Sequence, residues 1–581
     1  VVNNAIMHIG NQITIQSTMT SADIKATSLD DPLYYLRNAE QVISLCLNHY
    51  ADLLTQQEAD ALAELLQLPE PAQALLMRMV MRKGELFRRD GLTYAEVPEL
   101  DQALVILSTA GWVSVAPLLT LEQLCQSLKR SECLALARHL RPNERWLASH
   151  SKAQLVEKLL EADDGSAQPL TAWWPQAPVQ VVELCRAALF DRLRLMFFGN
   201  LRQQWSEFVV TELQQQRFEE VPLTSASRPF HQRDAVDLYL HLADLEARAA
   251  QGEALAVLSQ QLPDAVGTEW LDYRRQRVLF RLGREAERRG ERELALALYA
   301  HSQHRDARVR ALRLKEKLAP PEQVYAEAVE ALAQIPQPET RVQLQRILQR
   351  SARKAGLVVE QPGVEPLKLQ ELSLPPGAGR VEQAVIEALS NTDWQLYHVE
   401  NNLFTGIFAL LFWPVLFAPV RGAFFHPFQA GPVDLFRPGF VEARQALVDQ
   451  AFKALDDGRY RQIIRERLAS KQGIRCSLVY WPTLTPERVE AALACIPAAD
   501  WRFIFEHLLL DLRHHSRGLP DLIAFNQQAE AYQLIEVKGP GDRLQDHQRL
   551  WLNALQAQGV NVSVCHVRWQ AETAQTSDDP L

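Results

Sequence analysis

The sequence has little cysteine and nothing in its spacing that a metal module could use. Seven cysteines, Cys46, Cys125, Cys133, Cys185, Cys476, Cys495 and Cys565, are scattered over 581 residues, and no two form a CxxC pair. That spacing excludes a zinc ribbon and a disulfide framework and leaves reduced thiols in a cytosolic protein as the simple reading. Excess positive charge is also missing. The 61 Lys and Arg stand against 71 Asp and Glu, a net charge of −10. As a whole-chain average this argues only weakly against a nucleic-acid binder, because a binding face can be basic while the rest is not. The first residues, VVNNAIMHIGNQITIQST, lack the basic start and apolar run of a signal peptide and are expected to be a disordered leader, 1–18. Long apolar runs are confined to LFTGIFALLFWPVLFAPV, Leu403 to Val420. It approaches the length of a bilayer span, but it contains Pro414 and Pro419 and has no companion span. A buried helix in a large core is the expectation, with no membrane partner.

A chain this long needs several cores, roughly three or four domains. Residues 19–115 are expected to form a helical N-terminal domain, since DDPLYYLRNAEQVISLCLNHYADLL and AQALLMRMVMRKGELFRRD carry apolar residues at helical spacing. The second stretch ends in Arg78, Arg82, Lys83, Arg88 and Arg89, which suit either a solvated helix face or one that contacts phosphates. Residues 116–165 hold LLTLEQLCQSLKRSECLALARHL, a loop, and SKAQLVEKLLE, read as two short helices with Ser151 capping the later one and Lys152 beside it. The pair resembles a SAP module, a helix–loop–helix element that binds duplex DNA in many proteins. Its linker is longer than usual and the glycine often found before SK is absent, so an ordinary helical hairpin is the alternative.

A polar break, EADDGSAQPLTAWWPQAP, reads as a linker with two anchoring tryptophans. Residues 166–359 then read as a helical domain in which GREAERRGERELALALYAHS resembles the turn between paired helices of a TPR-like repeat. Arg274, Arg277, Arg281, Arg284 and Arg288 step by three and four, which places them on one helix face. The face suits phosphate oxygens, or ion pairs with Asp272, Glu285, Glu287 and Glu291. EQPGVEPLKLQELSLPPGAG, 360–379, is the expected interdomain linker. Residues 380–570 change character. Helices come first, then strand-like runs CSLVYW, DLIAF, YQLIEVK and VNVSVCHV, which predict a mixed α/β domain before a tail at 571–581. The fold class is therefore multidomain and mainly α, with a C-terminal α/β domain.

Chemistry concentrates in that last domain. Alternation along YQLIEVK puts Leu534, Glu536 and Lys538 on one face and Ile535 and Val537 on the other. A hairpin with DLIAF brings Asp521 near Glu536. Two adjacent carboxylates repel and resist burial, and a hard divalent cation resolves that conflict. Mg²⁺ or Mn²⁺ held by Asp521, Glu536 and the carbonyl of Val537, with Lys538 beside it, suits hydrolysis of a phosphodiester. The bland alternative is a surface ion pair between Glu536 and Lys538, with Asp521 capping a turn. His507, His514 and His515 read as structural or DNA-proximal, because Mg²⁺ does not favour imidazole.

The stretch RGLPDLIAF…YQLIEVKGPGDRLQDHQRLWLNALQAQGVNVSVCHV resembles the virus-type replication-repair nuclease (VRR-NUC) domain and, more closely, the Fanconi-associated nuclease family. RKGELFRRD followed by LTY, and FFGNLRQQWSEFVVTEL, resemble further blocks of that family, and the domain order is the same. The resemblance implies a PD-(D/E)xK-type metal-dependent nuclease acting on branched DNA. Such an enzyme cuts 5′ flaps endonucleolytically, digests 5′→3′ and takes part in interstrand-crosslink repair. By position it places metal binding on Asp521, Glu536 and Glu400, the catalytic lysine on Lys538, and a substrate or water contact on Gln548. Arg513 becomes a candidate for a terminal phosphate. The cysteine spacing rules out the ubiquitin-binding zinc finger of some members. A bacterial-style protein in the cytoplasm at the nucleoid is expected, or a nuclear one if eukaryotic, with other repair proteins or a second copy as further partners. The competing readings are a non-catalytic junction scaffold and an RNA-directed nuclease.

Overall fold

The structure, a computed structural model, describes residues 31–570 apart from 162, 204, 206–215, 265–266, 359–365 and 376–378. The expected leader and tail lie outside the described residues, as do residue 204 and residues 206–213 of the FFGNLRQQWSEFVVTEL block. The chain divides into two compact units, 1–215 with 222–240 and 216–221 with 241–581.

In the first unit, helices Tyr34–His49, Gln56–Leu65, Glu70–Val80 and Leu100–Thr109 accompany a small antiparallel sheet of Leu86–Arg88, Val181–Leu184 and Val113–Ser114, in that order. The basic cluster does not share a helix face. The helix ends at Val80, and Leu86–Arg88 is a strand. Arg78 pairs with Glu96 at 2.5 Å, and Arg88 pairs with both Asp90 and Glu132. Arg82 donates to the carbonyl of Gly91, while Lys83 is exposed.

The SAP-like element has three helices where two were expected, Leu121–Ser127, Arg130–Leu140 and Lys152–Leu160. The first run breaks at Leu128 and Lys129, where Glu132 accepts the Lys129 amide and starts a new helix. Ser151 does cap the last helix, accepting the Gln154 amide. The supposed linker belongs to the same core. Trp173 is buried in it and donates to the carbonyl of Leu119, and Gln168–Pro169 pairs with Leu118–Leu119.

The second unit begins with paired helices that include α1 (Glu269–Arg289) and α2 (Arg292–His301), and ends its helical part with α3 (Pro338–Ala355). Gly283 on α1 lets α2 approach closely, since a Cβ there would stand 2.8 Å from the ring of Tyr299.

The α/β part follows as β1 (Leu369–Leu374), α4 (Val381–Leu389), β2 (Gln395–His398), α5 (Asn402–Leu411), further helices including α6 (Ala498–Leu510) and α7 (Leu512–His515), β3 (Leu522–Asn526), β4 (Ala531–Lys538), α8 (Asp546–Ala557) and β5 (Val562–Trp569). The sheet order is β1-β5-β4-β3-β2, with β3 antiparallel to β2 and β4 and the other pairs parallel.

Two expectations change here, and one strand is new. CSLVYW is not a strand: it is a turn running into the short helix Trp481–Thr483, with Pro482 unable to donate to a ladder. The expected linker 360–379 contains β1, an edge strand paired to β5. β2 carries no alternation strong enough to announce it, yet it closes the other edge.

The long apolar run is buried. Every residue of α5 from Leu403 to Leu411 is inside, packed against Trp501 and Phe505 of α6. It breaks at Phe412 just before Pro414, and among the described residues no helix is long and apolar enough to cross a membrane.

Candidate active site

Strand register assembles the centre. Leu522 on β3 faces Ile535 on β4, so the next step along the pair sets Asp521 against Glu536. Asp521 Oδ2 accepts the Val537 amide at 2.9 Å. Ile535 and Val537 point to the opposite face and join the core with Leu522, Ala524 and Val385. Glu536 is thereby driven inward although charged: its relative exposure is 0 %, and Lys538 is only 8 % exposed. The Lys538 ammonium lies 2.7 Å from Glu536 Oε1. Neither carboxylate oxygen has a well-formed hydrogen bond among the described residues, and beyond Lys538 the Asp521 amide is the donor that acts on them.

Burial first, and then repulsion from Asp521, pushes the Glu536 carboxyl up to about 7 against the pull of Lys538. Burial also raises Asp521, opposed by the Val537 amide and Lys538 and reinforced by the charges of Glu382 and Glu400. An acid held up by desolvation, with no well-formed hydrogen bond to its oxygens, fits a hard divalent cation. The donor set is all oxygen, which disfavours zinc or copper.

Glu400 approaches Asp521 by a different route, and among the described residues it does not close with Asp521 and Glu536 into a three-acid cluster placed to grip an ion. It sits in the turn between β2 and α5 with φ +41°, a left-handed conformation unusual for glutamate. The turn is pinned, because the amides of Val399 and Glu400 both donate to the carbonyl of Asp521, at 2.9 and 3.0 Å. One residue on, Asn401 Oδ1 accepts the Leu519 amide. Strain held by such contacts collects at working sites. The Glu400 side chain remains half-exposed, 3.4 Å from His398 Nε2. Glu400→Gly is expected to stabilise the fold by about 0.5–1 kcal/mol, the relief of left-handed strain less the entropy of glycine. Any cleavage activity should fall by on the order of 10²-fold. Thermal melts beside initial rates check this; a loss of both would contradict it.

The approach to Asp521 is equally fixed. Gly518 has φ +90°, and a Cβ there would lie 2.9 Å from the backbone of His547, so only glycine serves. Trp551 donates to the carbonyl of His515 from below. The three histidines are structural. His515 is buried against Glu339 at 3.1 Å, His514 pairs with Asp511, and His507 stacks on His515 with its imidazole lowered to about 4 by burial. Gln548 lies in the first turn of α8, where its side-chain oxygen accepts the Gln545 amide.

The basic candidates are spread out. Arg274 and Arg281 both pair with Glu246, at 2.5 and 2.7 Å, and Arg288 pairs with Glu285. Lys152 donates to the carbonyls of Gln126 and Leu128. Arg284 is exposed. Arg513 lies over the Phe436 ring, and its charge, with those of Arg277 and Arg305, acts on His304, whose imidazole burial lowers first. Sequence reasoning does not reach Glu382 or His398. The only trace of Glu382 is an acid at the start of a helix.

The VRR-NUC domain family matches residues 455–569, and the family described as FAN1, HTH domain matches residues 33–114. A Fanconi-associated nuclease 1 homolog from Pseudomonas aeruginosa is 41% identical over 555 residues, spanning 94% of this chain and 98% of that protein. Human Fanconi-associated nuclease 1 is 32% identical over 175 residues, 29% of this chain and 17% of that protein. A crystal structure of paFAN1 bound to 2nt 5′-flap DNA with a gap superposes with a TM-score of 0.80 at 40% identity, covering 94% of this chain and all of that one (100%). Similarity of this extent runs through both units, and the chain belongs to the Fanconi-associated nuclease family.

Proposed function

We propose that the protein is a structure-specific, metal-dependent DNA nuclease that cuts 5′ flaps, digests 5′→3′ and acts on branched DNA in interstrand-crosslink repair. One observation carries the reading: a fully buried glutamate, Glu536, stands against Asp521 at one end of the sheet with Lys538 in contact. A scaffold gains nothing from burying that charge, which costs stability unless a cation takes it up. Asp521, Glu536, Glu400 and the Val537 carbonyl would hold Mg²⁺ or Mn²⁺. When bound, the cation polarises a phosphoryl oxygen and makes a deprotonated water available near neutral pH. Asp521 and Glu536 orient the site from a rigid hairpin. Lys538, held by Glu536, presents its remaining N–H groups to the charge that develops on the phosphate. Gln548 keeps its amide N–H₂ for substrate or water, and Arg513 receives a terminal phosphate.

The test is cleavage of an end-labelled 5′-flap duplex by the whole chain in Mg²⁺, Mn²⁺ or EDTA, with an RNA flap in parallel. Cutting near the junction that needs metal and prefers DNA is expected. Tight binding with no cutting in either metal would leave the scaffold reading, and preference for the RNA flap would leave the RNA-directed one.

Phosphate contact is assigned to the exposed cations Lys83, Arg284 and Arg513. Arg274 and Arg281 hold Glu246, and Arg78, Arg88 and Lys152 hold partners within their own unit. Arg284→Glu is expected to reduce the slope of log K against log salt by about 1, while Arg281→Glu leaves it unchanged. Fluorescence anisotropy across a salt series measures both; equal slopes for the two variants would contradict the assignment.

A further inference from the structure

Among the described residues only two of the Phe, Tyr and Trp side chains are exposed, Phe436 at 38 % and Tyr480 at 56 %. At Phe436 a loose loop is not the cause. Leu435 and Phe440 are buried, and the amides of Leu435 and Arg437 donate to the carbonyls of Pro432 and Asp434. Asp434 holds the buried Arg444 guanidinium through both carboxylate oxygens, at 2.7 and 3.0 Å. The same turn docks on α1. Gly439, at φ +84°, leaves room for the Glu269 carboxylate, 2.5 Å from where a Cβ would stand. Arg437 lies over the rings of Trp270 and Tyr273, at 5.6 and 5.4 Å. Phe436 is thus presented to water from a fixed backbone, the condition for a pre-organised contact.

A lone exposed ring is ordinary on a protein surface, but the surroundings of this one are specific. The Arg513 guanidinium lies over it, 5.5 Å from the ring centre. Arg513 is exposed and, among the described residues, makes no ion pair or hydrogen bond. The acids close by are taken. Asp511 pairs with Arg305 and His514, and Asp434 with Arg444. His304, whose imidazole burial lowers against the pull of Asp306, also feels the charges of Arg277, Arg305 and Arg513. Positive charge therefore gathers on the side of the turn where Phe436 is exposed. α7, which carries Arg513, runs on into the segment of Gly518 and Asp521.

An open ring beside an unpaired guanidinium matches the two parts of a nucleotide, a π face and an anionic oxygen. We propose that Phe436 is a stacking surface for an unpaired nucleobase, that of the flap nucleotide whose phosphate Arg513 receives. Every base has a π face, so the contact is indifferent to sequence. It selects instead for a nucleotide out of the duplex, since a paired base is already stacked on its neighbours. The proposal rests on the flap-nuclease reading above.

The experiment measures binding of the whole chain to a 5′-flap duplex in EDTA by fluorescence anisotropy. Two flaps are compared, one whose phosphorylated 5′-terminal nucleotide carries a base and one that is abasic there. Wild type, Phe436→Leu, Phe436→Trp and Tyr480→Leu are each measured, with Tm alongside. Wild type is expected to bind the abasic flap about 10-fold more weakly. Phe436→Leu should lose about the same factor on the flap with a base and nothing on the abasic one, with Tm kept. Phe436→Trp and the control Tyr480→Leu should bind as wild type does. A 2-aminopurine at the terminal position should be quenched by wild type and stay bright with Phe436→Leu. Equal losses on the two flaps would overturn the proposal, because the ring would then serve the fold or the backbone contacts. So would wild-type binding that ignores the missing base. If the Tm of Phe436→Leu falls, the 2-aminopurine signal with wild type decides, and a base left bright overturns the proposal. Cleavage in Mn²⁺ reads the underlying claim separately. Cutting with no discrimination between the flaps fails Phe436 alone, whereas a wild type that neither binds nor cuts either flap fails the flap reading and this proposal with it.

Discussion

Asp521→Ala is expected to lower flap cleavage by on the order of 10³-fold or more while leaving flap binding nearly unchanged. Two roles meet in this residue, and alanine removes one of them cleanly. The side chain holds the Val537 amide through Oδ2 and faces Glu536 across the hairpin. The backbone carbonyl holds the turn that carries Glu400, through the amides of Val399 and Glu400. Alanine keeps that carbonyl, so the Glu400 turn stays in place. What is lost is one of the two facing carboxylates, together with the acceptor of the Val537 amide. Glu536 then loses a repelling neighbour and takes up a proton less readily, but one buried carboxylate is a poor grip for a dication. Gel-shift binding in Ca²⁺ beside cleavage in Mn²⁺ separates the two effects. Binding that collapses together with cleavage would show that Asp521 serves the fold or the DNA surface instead.

The second large effect is on pH. Glu536 titrates at about 7 in the folded protein, against an ordinary 4.5. Between those values the folded protein holds a proton that the unfolded chain has released. The part of the metal-free stability that Glu536 contributes must then fall as pH rises through that window and level off above it. The fall is on the order of 3 kcal/mol. Glu536→Gln removes the titrating group, so the stability of wild type relative to Glu536→Gln should fall by that amount from pH 5 to pH 8, while buried imidazoles such as His507 move both proteins alike. The cation must displace the same proton, so cleavage by wild type should drop about tenfold per pH unit below about 7. Urea unfolding in EDTA at pH 5 and pH 8, for both proteins, tests the assignment. Parallel pH dependence in wild type and Glu536→Gln would place the titration elsewhere.

Asp521, Glu536 and Lys538 were legible because a strand of period two is read from neighbours in sequence, and the apolar Ile535 and Val537 set the facing. The helix behind the membrane-like run was legible for a similar reason. An uncharged stretch broken by Pro414 has few places to go except a core, and Phe408, Trp501 and Phe505 make that core. Glu400 was reached through family likeness, since nothing in the local chemistry of HVENN announces a left-handed glutamate tied to a carbonyl over a hundred residues downstream.

The basic residues show where local reading stops. Arg274, Arg277, Arg281 and Arg284 do share one helix, as their spacing requires. Yet the partner of Arg274 and Arg281 is Glu246, and that of Arg88 includes Glu132. Neither acid is a near neighbour, so pairing could not be told from phosphate contact. β1 was hidden in a Pro/Gly-rich stretch because an edge strand is half-solvated and shows little apolar alternation.

By itself the sequence determined the strand pair that carries Asp521, Glu536 and Lys538, the mainly helical architecture and the family. Each of these depends on periodicity or on short contiguous blocks. Only the tertiary structure decided that Glu536 is wholly buried, that the Glu400 turn hangs from the Asp521 carbonyl, that the start of α4 brings Glu382 to the same end of the sheet, and which arginines are already spent on acids. Those facts depend on distances between residues far apart in the chain. Such distances are set by how the sheet and helices pack, and no local pattern encodes them.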